Sequence, residues 1–512
     1  MKRIVSLLLI VMLALTAFAA CSEGGDDVSK AESKTESKAD TSAADESEIE
    51  ESSVDPCPLE QKNWDKTLSL LMSDSKNQFR GEFWLDEIED EQESALSVVF
   101  ADRSALLKDK YGLSIDVHYV ESGAALVEEL TQAINGGTPY NLVANCAYNF
   151  APKTIDGYFW DLYEANAEVN DGKGYINFDA DYWDQGLIED MSIAGRVYFL
   201  SGDLCVTDDN STWAMIFNKD LIDKHSLDNP YDLVNEGTWT IDKMCEMAKE
   251  VVLMHGDKMS YDPTVGDVWG VLGQTYDGLM YMLGFGCAKV HKNADDIPEL
   301  SIKDQRNIDC FDKLYTMFVD QSYCGIADFY GAWDSGIYGD ETRIFVNGNA
   351  LFMSQSINVL FGDGFSGSDI EYGIVPMPKA SEDQEEYCAS GNVYSVTVAA
   401  IPVCCPAEDL DVTVFTLEAL AYYGKEMITP SYYSLVLKGQ KTKDEESEKN
   451  LDLIFKSRRY DLSDTYNFAN DMIQFYNHVF GNKNSNKYVS QCDAHFDSYQ
   501  SAIDKFVDAF RQ

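Results

Sequence analysis

The 512-residue chain predicts an α/β fold of two doubly wound lobes joined by more than one crossing. Three observations predict it. Strand and helix patterns alternate from residue 67 to 147, and the alternation restarts at residue 213. A composition of 45% hydrophobic and 12% aromatic residues describes a globular chain long enough to fill two or three cores.

The first set begins with "TLSLLMS" (67–73), a strand, followed by "ALSVVFADRSALLKDKYG" (95–112), which has helical spacing and a terminal glycine. "LSIDVHYV" (113–120) alternates, with Leu113, Ile115, Val117 and Tyr119 on one face and Ser114, Asp116 and His118 on the other. "GAALVEELTQAINGG" (123–137) is an amphipathic helix closed by two glycines, and "NLVANCA" (141–147) is a third strand. After an aromatic, irregular stretch, "GRVYFLSGDLCV" (195–206) reads as a strand pair or crossing segment. The second set starts at "WAMIFNKDLIDKH" (213–225) and continues through "TWTIDKMCEMAKEVV" (238–252), "WGVLGQ" (269–274) and "ETRIFVNGNALFMSQSINVL" (341–360). "YGIVPMPKA" (372–380) and "SVTVAAIP" (395–402) are extended, and mostly helical patterns follow, among them "AEDLDVTVFTLEALAYYG" (407–424) and "FDSYQSAIDKFVDAF" (496–510).

Ahead of the folded part, Lys2 and Arg3 precede an apolar run from Ile4 to Ala20. A basic start, an apolar middle and small residues before a cleavage point predict a secretory signal peptide over residues 1–20. The ending Phe18-Ala19-Ala20-Cys21 resembles the bacterial lipobox, in which the cysteine thiol takes a diacylglycerol; Phe18 stands where that motif usually has leucine. Residues 22–56 are rich in Ser, Glu, Asp, Lys and Ala, and they bury too little to offset the entropy of ordering. Residues 21–63 are therefore expected to be a lipidated cysteine and its tether, holding the domain at the outer face of a membrane.

A formal charge of −49 excludes nucleic acid as a partner and opposes docking on anionic headgroups, so membrane affinity falls to the acyl anchor. Setting Cys21 aside leaves eleven of the 12 cysteines, an odd number with no C-x-x-C pair. Cys404 and Cys405 are adjacent, and Cys146, Cys205, Cys245 and Cys287 lie in apolar runs as small core residues. So many unpaired thiols on a surface protein point to a reducing habitat; titration of the denatured, unreduced protein checks this by finding most thiols free.

"IFNKDLIDKHSLDNPYDLVNEGTWTIDKMCEMAKEV" (216–251) is similar to a stretch of the family 1 extracellular solute-binding proteins. There a strand ending in Asn-Lys leads into a helix, and a proline-containing connection precedes Thr-Trp-Thr. "IFVNGNALFMSQS" (344–356) and "EYGIVPMPKA" (371–380) resemble two further segments of that family, and "WDQGLIEDMSIAGRVYFLSGDL" (183–204) resembles its approach to the first lobe crossing. The four keep the family's order. The resemblance implies a two-lobed fold of the periplasmic-binding-protein kind, type 2 or Venus flytrap, with hinge crossings. Its lobes would comprise residues 64–203 plus about 392–430 and residues 204–391 plus about 431–512. It further implies capture of a carbohydrate, delivery to the permease subunits of an ABC transporter, no cofactor, and a monomer.

Sugar clefts set aromatic faces against pyranose rings and planar polar side chains against hydroxyls, beyond the carboxyl ends of strands. On that basis the candidate ligand-binding residues are Asn149, Trp183, Gln185, Asp203, Tyr276, Gln355, Asn392 and Tyr394. Each also has a structural reading, because loops after strands carry polar residues and tryptophans are often core. Trp239 and Trp213 are set aside, the first beside a helix start with Thr240 as cap, the second at the beginning of a strand. The sequence holds no G-x-S-x-G, H-E-x-x-H, Walker loop or complete EF-hand loop, and its six histidines are not closely paired, which opposes a metal centre. Two alternatives stay open. One is a peptide or other non-sugar solute on the same scaffold; the other is a lipid-anchored glycoside hydrolase, since carboxylates are abundant.

Overall fold

The computed structural model describes residues 59–73, 83–85, 95–332, 335–362, 364–365, 367–438, 445–481 and 483–510. The expected signal peptide, Cys21 and the tether as far as residue 58 lie outside them. No described helix is long and apolar enough to cross a membrane.

The strands are β1 (Lys66–Ser73), β2 (Leu113–Val120), β3 (Leu142–Cys146), β4 (Thr212–Asn218), β5 (Trp269–Gly273), β6 (Val290–Lys292) and β7 (Pro298–Leu300). They continue with β8 (Cys324–Ile326), β9 (Ala350–Ser356), β10 (Tyr372–Val375), β11 (Ala389–Gly391), β12 (Thr397–Ala400) and β13 (Arg458–Arg459). The helices that position the site are α1 (Ala95–Tyr111), α2 (Gly123–Ile134), α3 (Ile241–Glu250), α4 (Asp277–Gly284), α5 (Gln305–Val319), α6 (Leu410–Lys438), α7 (Glu445–Lys456) and α8 (Tyr488–Phe510).

The first sheet has the order β12-β3-β1-β2. β1 pairs in parallel with both β2 and β3, and β12 returns antiparallel beside β3. Parallel neighbours need crossover connections, and α1 and α2 supply them. Leu113 and Ile115 are buried as the alternation of β2 predicts, but Tyr119 is 45% exposed. The cause is position: β2 is the outer strand. Ser122 caps α2 by accepting from the Ala125 amide at 3.2 Å.

The second sheet has the order β13-β11-β4-β9-β5-β8, with β10 also pairing with β4. β10 and β11 take successive lengths of one side of β4, opposite residues 215–218 and 212–213. Thr240 caps α3 as expected, its hydroxyl accepting from the Lys243 amide at 3.3 Å.

Two strand connections carry the chain between the sheets. Leu200 bridges Ala399 at the edge of the first sheet, and residues 202–211 then lead into β4; residues 392–396 bring the chain back from β11 to β12. α6 makes a third passage. It runs past Gly424, where the sequence pattern ends, because that glycine lets the helix lie against the first crossing: a Cβ there would stand 1.7 Å from the Asp203 carbonyl oxygen. Leu417 and Leu420 pack into the core of the first sheet, whereas Ile428, Tyr432 and Val436 pack into that of the second. A further core joins Leu126 and Phe150 of the first lobe to Leu279 and Phe311 of the second through Phe468, Phe506 and Phe510.

Candidate functional site

The site follows from strand direction. β1, β2 and β3 end, and β12 begins, at one edge of the first sheet; β5, β8 and β9 end, and β4 begins, at one edge of the second. The crossings bring these two edges together. Ala147 donates its amide to the Val396 carbonyl and Tyr148 to the Val393 carbonyl, so the turn after β3 sits on the return crossing.

Four of the sequence-predicted residues meet here. Tyr276, which precedes α4, donates its hydroxyl to Asn392 Oδ1 at 3.0 Å, and the same oxygen accepts the Tyr394 amide at 3.0 Å. Both bonds fall on the oxygen, so the half-buried Asn392 amide nitrogen has no partner among the described residues. The Tyr394 ring lies 4.6 Å from Tyr148 and 6.1 Å from Tyr276, centroid to centroid. Asn149 donates to Asn145 Oδ1 at 3.2 Å, and Asn145 donates to Ser73 Oγ at 2.8 Å, which ties the ends of β1 and β3. Gly123 at the start of α2 leaves the room that the Asn149 amide fills: a Cβ there would stand 2.1 Å from Asn149 Nδ2. Tyr148, Asn149, Tyr276, Asn392 and Tyr394 are all half-buried. Burial holds the Tyr276 and Tyr394 phenols well above their ordinary range, so both stay neutral at any physiological pH.

Three contributors escaped the sequence reading. Trp213 stands at the start of β4, as its place in the strand pattern predicts, and its ring also stands edge-on to Tyr276 at 6.0 Å. Tyr148 adjoins the named Asn149, so its position was legible even though its role was not. Gln474, which donates to the Tyr394 hydroxyl at 3.1 Å, comes from a helical stretch that carries no site signal of its own.

The other named residues go elsewhere. Gln355 lies inside β9 opposite Ala214, and its side-chain oxygen accepts the Ser356 amide at 3.0 Å. Trp183, Gln185 and Asp203 line a separate cavity of about 370 Å³ beside the first crossing, with Lys425, Tyr433 and Arg458. Trp183 is 2% exposed and donates to Glu418 at 3.3 Å, so it presents no open face. The Gln185 amide nitrogen is shared among the carbonyls of Phe178, Ala180 and Trp183. Asp203 accepts from Thr429 at 2.6 Å, with Lys425 at 3.7 Å; burial, against the pull of Lys425, pushes it up to about 7. Next to it the buried Arg458 guanidinium holds Asp184 at 2.7 Å, Asp208 at 2.8 Å and also Asp209. Among the described residues no group of three or more His, Cys, Asp or Glu is placed to hold a metal ion.

No family sequence profile matches the chain, and no curated protein does. Solved structures do. The chain is similar to the sugar-binding protein MalE from Xanthomonas citri at 11% identity, over 87% of this chain and 100% of that one, with a TM-score of 0.55. UgpB from Mycobacterium tuberculosis, in complex with glycerophosphocholine, matches at 13% identity over 82% and 97%, TM-score 0.51. The maltose/maltodextrin-binding domain MalE from Bdellovibrio bacteriovorus, bound to maltotriose, matches at 13% over 86% and 100%, TM-score 0.50. The expected architecture stands: the chain has the two-lobed fold of ABC-transporter solute-binding proteins.

Proposed function

We propose that this chain is a solute-binding lipoprotein that captures a carbohydrate between its two lobes and delivers it, unaltered, to the permease subunits of an ABC transporter. Cys21 carries the acyl anchor, the residues after it up to about 58 are the tether, since Leu59 is already buried in the first core and Lys62 is paired with Asp411 at 3.0 Å, and the protein works as a monomer on the extracytoplasmic face of the cell membrane. One observation carries the reading. Tyr148, Tyr276 and Tyr394 group around the amides of Asn149 and Asn392 where the two sheets turn their edges to each other. Neutral rings offer apolar faces to a sugar ring, and the Asn392 amide nitrogen offers a donor to a hydroxyl. A ligand touching both lobes stabilises the closed arrangement, which is how occupancy is communicated to a permease.

Titration of the purified protein with a panel of neutral oligosaccharides tests this. A matching glycan changes tryptophan emission, through Trp213, and raises the melting temperature by mass action while its length stays unchanged. Release of shorter products would select the hydrolase. A non-sugar solute is the second reading, favoured by the glycerophosphocholine bound on the same fold in UgpB; it wins if such solutes or peptides shift the melt and no glycan does.

A further inference from the structure

Gln474 comes to the candidate site on a turn that is held rigidly. Asn467, Ala469 and Asn470 all take the left-handed conformation, at φ +42°, +57° and +57°, which strains residues other than glycine. Asn467 Oδ1 accepts the Ile473 backbone amide at 3.4 Å, and the Gln474 backbone amide donates to the Asp471 carbonyl at 2.9 Å. The short helix Phe475–Phe480 that follows lies against the start of α4: a Cβ on Gly278 would stand 2.1 Å from Phe480 Cε2. Gly278 is two residues past Tyr276, so Gln474 and Tyr276 are set on elements that pack against each other.

Three side chains there form a one-way series of hydrogen bonds. Asn477 donates from Nδ2 to Gln474 Oε1 at 3.0 Å, and Gln474 donates from Nε2 to the Tyr394 hydroxyl oxygen at 3.1 Å. We propose that Asn477 and Gln474 are positioning residues that set the polarity of the cleft: they hold the Tyr394 hydroxyl as a donor to the solute, which meets it with an acceptor oxygen. The proposal rests on the reading of this cleft as the solute site, and it adds the hydrogen-bonding pattern that the solute has to match.

The direction follows from the capacity of each group. A side-chain amide has one end that only accepts and one that only donates, so the bond from Asn477 turns the Gln474 nitrogen toward Tyr394. A phenol has one proton. With the Tyr394 oxygen accepting from Gln474, that proton finds no acceptor among the described residues and is left for a partner from outside. Tyr276 has the reverse polarity: its proton is spent on Asn392 Oδ1, so its oxygen can only accept, while Asn392 Nδ2 remains a donor. The half-buried site thus offers two donors, Tyr394 and Asn392, and one acceptor, Tyr276, none of them charged. Adjacent hydroxyls of a sugar match this pattern, since each can accept and one can pass its proton to Tyr276. An ammonium group facing the two donors cannot.

Tyrosines that serve only the fold are bonded differently. Tyr432 donates its hydroxyl to Asn210 Oδ1 at 2.9 Å, and Tyr460 donates to Asp184 at 2.7 Å. Each spends its proton inside the protein. Tyr394 keeps its own.

The test reads the Tyr394 phenol directly and needs no solute. The infrared C–O stretch of a phenol falls when its oxygen accepts a hydrogen bond and rises when its hydroxyl donates one. The difference between the full chain and its Tyr394→Phe counterpart isolates this ring, and each variant is measured against its own such counterpart. In the wild-type chain the band is expected at the low, accepting position. In Gln474→Glu the ionised carboxylate accepts from the Tyr394 hydroxyl, and the band rises. In Asn477→Asp the new carboxylate can only accept, so the Gln474 amide turns over and presents its oxygen to Tyr394. The band then rises too, although the substitution is made at the far end of the series. A band unmoved by Asn477→Asp, or a wild-type band already at the high position, overturns the proposal; if neither variant folds, the wild-type band decides alone. For any oligosaccharide that binds in the titration above, Asn477→Asp should raise Kd about tenfold, and an unchanged Kd overturns the proposal. Absence of any binder would strike the carbohydrate reading, whereas the infrared bands decide the polarity on their own.

Discussion

Two polar regions lie close to the crossings, and they treat their hydrogen-bonding groups in opposite ways. In the cleft, Tyr276 and Tyr394 both bond one oxygen of Asn392, and the nitrogen of that amide is left half-exposed and unpartnered among the described residues. Beside the first crossing, Arg458 spends its donors on Asp184, Asp208, Asp209 and Thr212, and Tyr460 adds a bond to Asp184 at 2.7 Å. The first region keeps capacity for an outsider. The second satisfies itself, as buried charges must. Four of the eight residues named from the sequence fall in the first region and three in the second, so residue type alone does not separate a binding surface from a structural knot.

The largest expected effect breaks the second region. Arg458→Ala leaves three carboxylates facing one another inside the protein and should cost about 3–5 kcal/mol, read as a drop in the urea midpoint. A loss below about 1 kcal/mol would mean that the cluster is solvated and the contrast false. Next comes the cleft. Tyr394→Ala should weaken solute binding by about 2 kcal/mol, roughly 30-fold in Kd, by fluorescence titration. The same change should move the urea midpoint far less than Arg458→Ala does.

A pH series sharpens the comparison. Burial raises Asp203 to about 7, Glu418 to about 7 and Asp190 to about 6. For an acid raised in the fold, the native state holds protons that the unfolded state has already released. Stability contributed by these groups is therefore greatest near pH 4, falls as pH rises to about 7, and is flat above, by at most about 1.4 kcal/mol per pH unit for each group. Asp203→Asn should remove one group's share of that slope between pH 4 and 7 and leave solute affinity at pH 7 unchanged, measured by urea unfolding and by titration. The smallest effect on binding belongs to Trp183→Phe, which loses the bond to Glu418 together with part of the buried indole. We expect about 1 kcal/mol of stability lost and no change in Kd; a tenfold loss of affinity would move Trp183 into the binding surface.

Local patterns carried the architecture because they are local. The run from Thr67 to Ala147 sets a period of two against one of 3.6 and needs no distant information to read as strand and helix. The site was only half legible because the cue used, a polar or aromatic residue just past a strand, does not tell which edge of which sheet that strand end reaches. Asn149 and Tyr276 follow strands that end at the facing edges. Asp203 follows an extended segment whose bridge, Leu200 to Ala399, puts it at the margin of the first sheet. That pairing joins residues some 200 positions apart, and nothing near Asp203 encodes it. Gln474 was invisible for the same reason: its place depends on where residues 460–510 come to rest.

Where they come to rest has a consequence for movement. Phe510 packs on Tyr198 at 5.7 Å and Phe506 on Tyr466 at 4.6 Å, while Tyr488 stacks on Phe311 at 4.4 Å. The tail of the chain thus forms a greasy seam along one flank of the groove, holding both halves at once. Aromatic packing that reaches both halves from residues 488–510 ties them together on that side, so any separation of the halves has to leave these contacts intact or break them.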